Sequence, residues 1–391
     1  MPDDSDRQIK EDVTRKARGG FLRKRTPLRL AQAAVFLAGC LASAVVLFLY
    51  LWPRANWLVY YFTVRPSFVW LGMGVPLIAA GAFAVRWRWF LTGCAFWLIC
   101  LMATGDARQT LKLFPDRSRS RFQVAQYAYR SLRERPEFAD RARSVPLRIV
   151  TWNVAGGTKG AQGAVDQLAA LDPDIVFLQE IVWSGKSEIT KGLRESPRLR
   201  SYHLASRWKV GVLSRFPVHK VASRSLHEWR GGVFQVEVEP GVVVTCICVH
   251  LRTMDLRAQF LRGWTVPGLT RAVEGHRGEL GAVADLVEHY SREGSVILAG
   301  DFNLPPNYAD LRSATAGLRE CFNTNGYGWG GTVPARSPVL RIDQIYVPQN
   351  TDVFYAGTMP TRNSDHCAMV AEVALPSAGR EPASGESNAA N

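Results

Sequence analysis

The chain has 391 residues, of which 47% are hydrophobic and 21% are charged, and it carries a formal net charge of +14 at pH 7. This composition excludes a disordered or collagen-like chain, and the length suffices for one large α/β domain with an additional segment. Residues 1–144 hold 23 Lys and Arg against 10 Asp and Glu, whereas residues 145–391 hold 25 against 24, so almost all the positive charge is N-terminal. A catalytic face made basic throughout for nucleic acid is therefore not expected, and the high charge points to membrane topology or anionic lipid.

Three uncharged segments follow the basic N-terminus of residues 1–29, at residues 30–52, 66–85 and 89–105. A helix of roughly 20 apolar residues crosses the hydrocarbon core of a bilayer, so the first two are long enough and the third is short. The alternative is a pair of buried helices in a globular domain. We predict a helical transmembrane region over residues 30–105, with the lipid bilayer as its partner.

The distribution of basic residues predicts the orientation of this region. Arg and Lys side chains are concentrated before the first span and stay in the cytoplasm by the positive-inside rule, and Arg86 and Arg88 return to that side after two crossings. Three spans place the C-terminal domain outside the cytoplasm, whereas a third segment that does not cross leaves it in the cytosol. We predict a multi-pass protein of the cell (inner) membrane with an extracytoplasmic domain, joined by a linker over residues 106–145.

Residues 146–375 repeat one pattern, in which an apolar, strand-like run ends on a polar side chain. Any single case is more often a loop carboxylate or a helix cap than a functional residue. Here the pattern recurs in a fixed order, in the strings Trp-Asn, Gln-Glu, His-Leu, Gly-Asp-Phe-Asn, Arg-Ile-Asp and Ser-Asp-His. The polar residues in these strings are Asn153, Glu180, His250, Asp301, Asn303, Asp343, Asp365 and His366.

This ordered set of strings resembles the endonuclease/exonuclease/phosphatase superfamily, which has the deoxyribonuclease I-like fold. The resemblance covers about Pro146 to Leu375 and implies an α/β (α+β) four-layer sandwich, with two packed β-sheets flanked by helices. We therefore expect this sandwich to follow the N-terminal transmembrane region. The tail at residues 376–391 has the composition of a disordered segment.

Hydrolysis of a phosphodiester needs a cation on the phosphate oxygens, an aligned water and a base for its proton. Glu180 supplies an anionic oxygen of the kind that Mg²⁺ prefers, and the resemblance places Asn153 and Asp365 close to it. We expect Mg²⁺ as the cofactor, with Mn²⁺ as the alternative. Abasic-site endonucleases of this family carry an acidic residue where Ala155 stands, so one supplementary ligand is missing. The Cys residues form no CxxC pattern that would indicate zinc.

The resemblance also assigns the catalytic residues. His366 is the acid or base, and Asp343 matches the aspartate that fixes its tautomer. Asp301 and Asn303 match the pair that orients the attacking water and holds the phosphate, and His250 matches a second imidazole at the transition state. Asp343 and His250 could instead be ordinary structural residues, and the sequence leaves open which group takes the proton of the water.

The predicted activity is hydrolysis of phosphodiester bonds, with nucleic acid as the default substrate. One alternative is a phospholipid or sphingomyelin phosphodiesterase or a phosphoinositide-type phosphatase, which a position beside a bilayer and a nearly neutral domain favour. Another is a catalytically inactive binding module, for which loss of Glu180, Asp301 or His366 would be the signature; all are present. The substrate, the cleavage polarity and the oligomeric state are left open.

Overall fold

The computed structural model describes residues 27, 29–42, 44–45, 87–103, 144–181, 187–220, 231–253, 266–306, 308–326 and 330–376. Two compact units divide the chain, one containing the N-terminal helices and the other the β-strands. The predicted linker at 106–145 lies almost entirely outside the described residues, as does the tail at 376–391.

The N-terminal unit contains helical residues at 29–42 and helix α1 over Trp87–Ala103. Among the residues that the structure describes, no helix combines the length and the apolarity that crossing a bilayer requires. The predicted span at 66–85 lies outside the described residues, and the spans at 30–52 and 89–105 lie partly outside them. Helix α1 nevertheless exposes large apolar side chains, including Trp87, Trp89 and Leu91.

The second unit is built from two β-sheets, as the resemblance implied, and each sheet has six strands of mixed orientation. The strands are β1 Ser144–Asn153, β2 Ile175–Gln179, β3 His203–Arg207, β4 Val210–Ser214, β5 Val218–Lys220, β6 Gly231–Glu239, β7 Val242–His250, β8 Ser295–Asp301, β9 Leu318–Glu320, β10 Asp343–Pro348, β11 Asp352–Met359 and β12 Ala368–Pro376. The first sheet has the order β11-β12-β1-β2-β4-β3 and the second the order β5-β6-β7-β8-β10-β9. The helices are α2 Ala161–Leu171, α3 Glu188–Glu195, α4 Val266–Ser291, α5 Ala309–Ala314 and α6 Cys321–Asn325.

Three apolar clusters explain why the sheets and helices form four layers. Alternate side chains of both sheets, such as Ile149, Phe177 and Ile297, are fully buried between the sheets. On the outer faces, α2 and α3 pack on the first sheet, and α4 and α5 pack on the second. Each fully buried Leu, Ile or Phe contributes about 1.5–3 kcal/mol, so these faces supply the main driving force for the sandwich.

Each sheet contains one pair of parallel neighbours, and these pairs determine where polar groups converge. β1 pairs with β2 in parallel, with Asn153 opposite Gln179, and β7 pairs with β8 in parallel, with His250 opposite Asp301. β10 is antiparallel to β8 and begins with Asp343 opposite Asp301. Because both strands of a parallel pair end at one edge, these chain ends place polar residues side by side.

Gly300 lets β7 and β8 approach closely just before Asp301. Its φ is +151°, and a Cβ on this residue would lie 2.0 Å from the carbonyl oxygen of Val249. We expect Gly300→Ala to lower the free energy of unfolding by about 3 kcal/mol or more, because backbone rather than a flexible side chain fills the space. Urea denaturation followed by circular dichroism measures this change.

A matched glycine in helix α4 provides the control for this prediction. A Cβ at Gly281 would meet no atom within 4 Å. Gly281→Ala should therefore raise the free energy of unfolding by about 0.5–1 kcal/mol through the helix propensity of alanine. Equal effects of the two substitutions would contradict the close approach at Gly300.

Candidate active site

The candidate site lies where the ends of strands from both sheets meet. Asn153 ends β1 and Glu180 follows β2 in the first sheet, whereas His250 ends β7 and Asp301 ends β8 in the second. The amide nitrogen Nδ2 of Asn153 donates to Asp301 Oδ2 at 3.1 Å and so joins the two sheets directly. The site is therefore shared between the sheets rather than carried by one of them.

The buried carboxylate of Asp301 is the centre of the site. Its Oδ2 lies 3.7 Å from His250 Nε2 and 3.8 Å from His366 Nε2, and its other oxygen accepts a 2.9 Å hydrogen bond from the backbone N–H of Asn303. The side chain is only 1% exposed. Burial and the neighbouring Asp343 raise the pKa of Asp301, while the two imidazoles and Asn153 lower it in part. A carboxylate in this environment holds a proton better than an exposed one does.

His366 and Asp343 form a hydrogen-bonded pair beside this carboxylate. Nδ1 of His366 lies 2.8 Å from Asp343 Oδ2, which leaves Nε2 directed towards Asp301. Burial alone would lower the pKa of His366, but the two carboxylates outweigh it and raise that pKa to about 10. The imidazole is therefore a cation at neutral pH and stabilises negative charge next to Asp301.

The loop that carries His366 is fixed to the end of β1. The Ser364 hydroxyl donates to the carbonyl oxygen of Asn153 at 2.6 Å and accepts from the backbone N–H of His366 at 3.1 Å. The indole N–H of Trp152 donates to the carbonyl oxygen of His366 at 2.9 Å. These bonds preorganise the imidazole, because its backbone cannot shift without breaking them.

Glu180 stands at the partly exposed side of the site in a strained backbone conformation. Its φ is 56°, and left-handed backbone is uncommon for residues other than Gly, Asn and Asp. Backbone hydrogen bonds on each side hold Glu180 in this conformation, since Gly156 N–H donates to Glu180 O at 2.9 Å and Ile181 N–H donates to Lys209 O at 3.1 Å. The carboxylate Oε1 lies 3.1 Å from Asn153 Nδ2 and 3.6 Å from His250 Nε2.

Two of the residues predicted for the site make other contacts. The amide of Asn303 donates through Nδ2 to the carbonyl oxygen of Leu251 at 2.9 Å and so braces the loop after β7. Asp365 is 52% exposed, and its carboxylate lies 3.6 Å from Lys159 Nζ. Asn153, Glu180, His250, Asp301, Asp343 and His366 are brought together, whereas Asn303 and Asp365 lie at the margin.

The donor set fits a hard divalent cation. Asp301 and Asp343 bring carboxylate oxygens to one place, and no Lys or Arg forms an ion pair with either of them in the described ranges. Within the described part of the chain, Asp343 Oδ1 is buried without a hydrogen-bond partner. One atom from each of Asp301, Asp343 and His366 lies within 4.8 Å of the others. Glu180, the first metal ligand that the sequence predicted, is not a member of this group of three.

Asn153 presents its amide groups in a definite orientation. Nδ2 faces the carboxylates of Glu180 and Asp301, and Oδ1 accepts a 3.0 Å hydrogen bond from the backbone N–H of Ala155. The oxygen keeps one lone pair beyond that bond, so a role beside a metal ion is compatible with this orientation.

Three residues near the site were missed by the sequence reasoning. Thr332 Oγ1 accepts from the backbone N–H groups of Ile342 and Asp343 at 3.2 and 3.3 Å and so positions the strand end that carries Asp343. Lys159 is the partner of Asp365. Trp208 is 52% exposed, with a φ of 55°, in the β3–β4 turn that the backbone hydrogen bond from Ile181 to Lys209 ties to the residue after Glu180. Only Trp208 left a signal, as an aromatic residue in a turn, because the other two depend on contacts between distant parts of the chain.

Comparison with known proteins gives a family match. The model of the endonuclease/exonuclease/phosphatase family matches residues 150–366, which is more than half of the chain. The uncharacterized protein YbhP of Escherichia coli is 32% identical over 177 residues, covering 42% of this chain and 62% of that protein. The chain thus matches less than two thirds of the length of this relative, and a Shigella flexneri protein of the same name matches equally.

Several solved structures are also similar. Truncated TDP2 of Caenorhabditis elegans is 18% identical, with 58% of this chain and 97% of that one covered and a TM-score of 0.44. An endonuclease/exonuclease/phosphatase family protein of Bacteroides thetaiotaomicron is 15% identical, with coverage of 60% and 99% and a TM-score of 0.45. The mannosyl-6-phosphatase Bt3783 of the same organism is 16% identical, with coverage of 58% and 99% and a TM-score of 0.43.

Proposed function

Because the chain belongs to the endonuclease/exonuclease/phosphatase family, a family of phosphoester hydrolases, we propose that it is a metal-dependent phosphodiesterase. Nucleic acid is the substrate class that we propose first. The observation that carries the proposal is the buried Asp301 carboxylate between two imidazoles, with Asp343 on the far nitrogen of one of them. A carboxylate that holds a proton well, next to a fixed cation, is suited to hydrolysis of a phosphate ester.

In the proposed reaction, Asp301 takes the proton of the attacking water. Its raised pKa makes it a stronger base than an exposed carboxylate. His366 is already protonated at neutral pH, so it stabilises the negative charge that develops on the phosphate and does not act as the base. His250, at 3.7 Å from Asp301 and 3.6 Å from Glu180, stands where it can donate a hydrogen bond to a phosphate or leaving-group oxygen.

Members of this family generally use divalent metal ions, and we propose Mg²⁺ here, with Mn²⁺ as the alternative. Glu180 would hold the ion, with Asn153 beside it, and the ion would neutralise charge on the phosphate oxygens. Asp365 was predicted as a further ligand, although its carboxylate faces Lys159.

We expect Glu180→Gln to raise the half-saturating Mg²⁺ concentration about tenfold or more and to lower activity at the same time, because a neutral amide replaces the anionic ligand. Metal titration of initial rates measures both effects. A titration curve that overlaps the wild-type curve would show that Glu180 is not a ligand. Asp365→Asn tests whether Asp365 is a further metal ligand. A rise in the half-saturating Mg²⁺ concentration like that of Glu180→Gln would support this role, and a titration curve that overlaps the wild-type curve would exclude it.

A phospholipid substrate is the second candidate, and two observations favour it. Residues 145–391 carry 25 basic and 24 acidic side chains, so the domain lacks the general positive charge of many nucleic-acid enzymes. Helix α1 exposes Trp87, Trp89 and Leu91, as expected for a segment in contact with lipid. We also propose that residues 30–105 anchor the protein in the cell (inner) membrane, with the phosphoesterase domain extracytoplasmic.

The deciding experiment offers the purified full-length protein plasmid DNA, RNA and phospholipid vesicles with Mg²⁺, beside the Glu180→Gln variant. Nicking of plasmid DNA by the wild type that the variant no longer shows would support a nuclease. Release of lipid head groups without nicking would support a phospholipid phosphodiesterase. No hydrolysis of any substrate would favour the inactive binding module. Membrane anchoring is tested separately by carbonate extraction of cell membranes, from which an anchored protein is not released.

A further inference from the structure

A groove of about 1180 Å³ opens beside the reactive centre, on the side of Asp365. Three parts of the chain line it: α2 with the segment that enters it, the loop at 334–337 before β10, and the loop at 360–365 before β12. None of these lining residues belongs to the reacting group of Asp301, His250 and His366, so the groove is a separate surface that adjoins the site.

The charge of the groove is positive. Lys159, Arg336 and Arg362 line it and are exposed, and Asp365 is the one acidic residue among the lining residues of the described chain. Lys159 lies 3.6 Å from the Asp365 carboxylate, whereas Arg336 and Arg362 form no ion pair within the described ranges. Two arginines in a groove without acidic partners are suited to bind an anion, and the guanidinium fork matches phosphate in particular.

The shape of the groove is fixed by a close approach between α2 and the loop before β12. A Cβ on Gly163 would lie 2.4 Å from Asn363 Oδ1, and a Cβ on Gly160, whose φ is +137°, would lie 3.1 Å from the same atom. The backbone N–H of Asn363 donates to Thr361 Oγ1 at 3.0 Å. Glycines at these two positions thus leave room for Asn363 in the wall of the groove.

The groove is also rigidly connected to the reactive centre. The backbone N–H of Ala335 donates to Asp365 O at 2.7 Å, and that of Cys367 donates to Thr332 O at 2.8 Å, so the two loops are paired. Ser364 lies in the groove wall, and its hydroxyl contacts both Asn153 and the backbone of His366. A group bound in the groove therefore has a set position relative to His366.

The lining chemistry limits what the groove can bind. None of its described residues is aromatic, and its apolar residues are only Pro334, Ala335 and Pro360. A nucleobase needs a stacking surface and an acyl chain needs a continuous apolar one, so neither matches these walls. From the proposed phosphodiesterase function and these features together, we infer that the groove binds a second phosphate group of the substrate, one that is not cleaved, through Arg336 and Arg362.

Kinetics with paired substrates tests the inference on the full-length protein. A thymidine trinucleotide is compared with the same molecule carrying a neutral methylphosphonate in place of one phosphate, and vesicles of phosphatidylinositol are compared with vesicles of its monophosphate. We expect the wild type to prefer the substrate with the additional charged phosphate, in whichever pair it hydrolyses. In Arg336→Gln/Arg362→Gln the ratio of the two kcat/KM values should fall about tenfold or more. Arg312→Gln, an exposed arginine outside the groove, should keep the wild-type ratio.

A binding measurement separates failure of this inference from failure of the proposed function. Calorimetric titration with inorganic pyrophosphate in EDTA should show binding that weakens about tenfold in the double variant and is unchanged in Arg312→Gln. Equal substrate preference in the wild type and the double variant, or equal affinity of the two for pyrophosphate, would show that the groove does not bind a second phosphate. If the wild type hydrolyses none of the substrates, the proposed function fails, and the titration alone decides whether the groove binds phosphate. The substrate pair that responds shows whether the second phosphate belongs to a nucleotide or to a lipid headgroup.

Discussion

Replacing Asp301 with Asn should lower kcat/KM for phosphoester hydrolysis by about 10²- to 10⁴-fold, the range in which general-base catalysis contributes. The amide has nearly the same shape but cannot accept the proton of the water. It also puts an N–H donor next to Asn153 Nδ2 or to the Asn303 N–H, where the wild type has carboxylate oxygens. Steady-state kinetics at saturating Mg²⁺ measures the loss, and activity within tenfold of the wild type would exclude Asp301 as the base.

The stability of this variant provides the internal control. The pKa of Asp301 is raised on folding, so its ionised form destabilises the folded state and stability from this group is lost as the pH rises through the folded pKa. Asn carries no charge and escapes this penalty, but it loses the hydrogen bond from Asn153 or from the Asn303 N–H. A single cooperative thermal unfolding transition of Asp301→Asn at neutral pH would therefore separate a catalytic defect from misfolding.

Removal of either member of the His366–Asp343 pair should lower kcat by about 10²- to 10⁴-fold. The imidazole supplies the cation beside Asp301, and Asp343 holds that imidazole by a 2.8 Å hydrogen bond. Because they act as a unit, we expect kcat of the double variant His366→Ala/Asp343→Ala to be no more than a few-fold below kcat of the less active single variant. A double-mutant cycle measures the coupling, and simple additivity of the two losses would show that the pair does not act together.

The same pair predicts a pH dependence of stability in EDTA. Asp343 and Asp301 raise the pKa of His366 to about 10 against the lowering effect of burial, so the stabilisation it gives is full below its ordinary pKa and is lost as the pH rises through the folded value. Urea unfolding between about pH 7 and about pH 9.5 should show falling stability in the wild type and a flatter profile in His366→Gln. Equal slopes in both proteins would contradict a protonated His366.

The general fold and most of the candidate site residues that the structure brings together could be predicted from the sequence, because both left local signals. Apolar runs that end on Asn153, Glu180, His250 and Asp301 marked the strands, and the family resemblance supplied their order. The resemblance to the family, rather than the pattern of apolar runs alone, indicated that these side chains are neighbours, and the ends of the two parallel strand pairs bring them together. The described N-terminal helices give no helix long and apolar enough to cross a membrane, so that part of the prediction rests on the sequence.

Other features depend on contacts between distant residues and could not be predicted. The amide of Asn303 binds the carbonyl oxygen of Leu251, and Asp365 faces Lys159, because loops that are far apart in sequence meet there. Arg148 and Glu372 were also unexpected in strands, since charged residues are seldom buried. They pair across β1 and β12 at 2.8 Å, and neither would be tolerated without the other.

The pairing of β1 with β12 places the two ends of the domain far from its reactive centre. Ser144 stands opposite Pro376, so the chain enters and leaves the domain side by side, while β1 ends on Asn153 at the reactive centre. A strand rises about 3.3 Å per residue, so Ser144 at the start of β1 and Asn153 at its end lie about 30 Å apart. A domain with this geometry can be immobilised on a sensor surface or fused to a reporter through its C-terminal strand, and its reactive pole stays open to the solution.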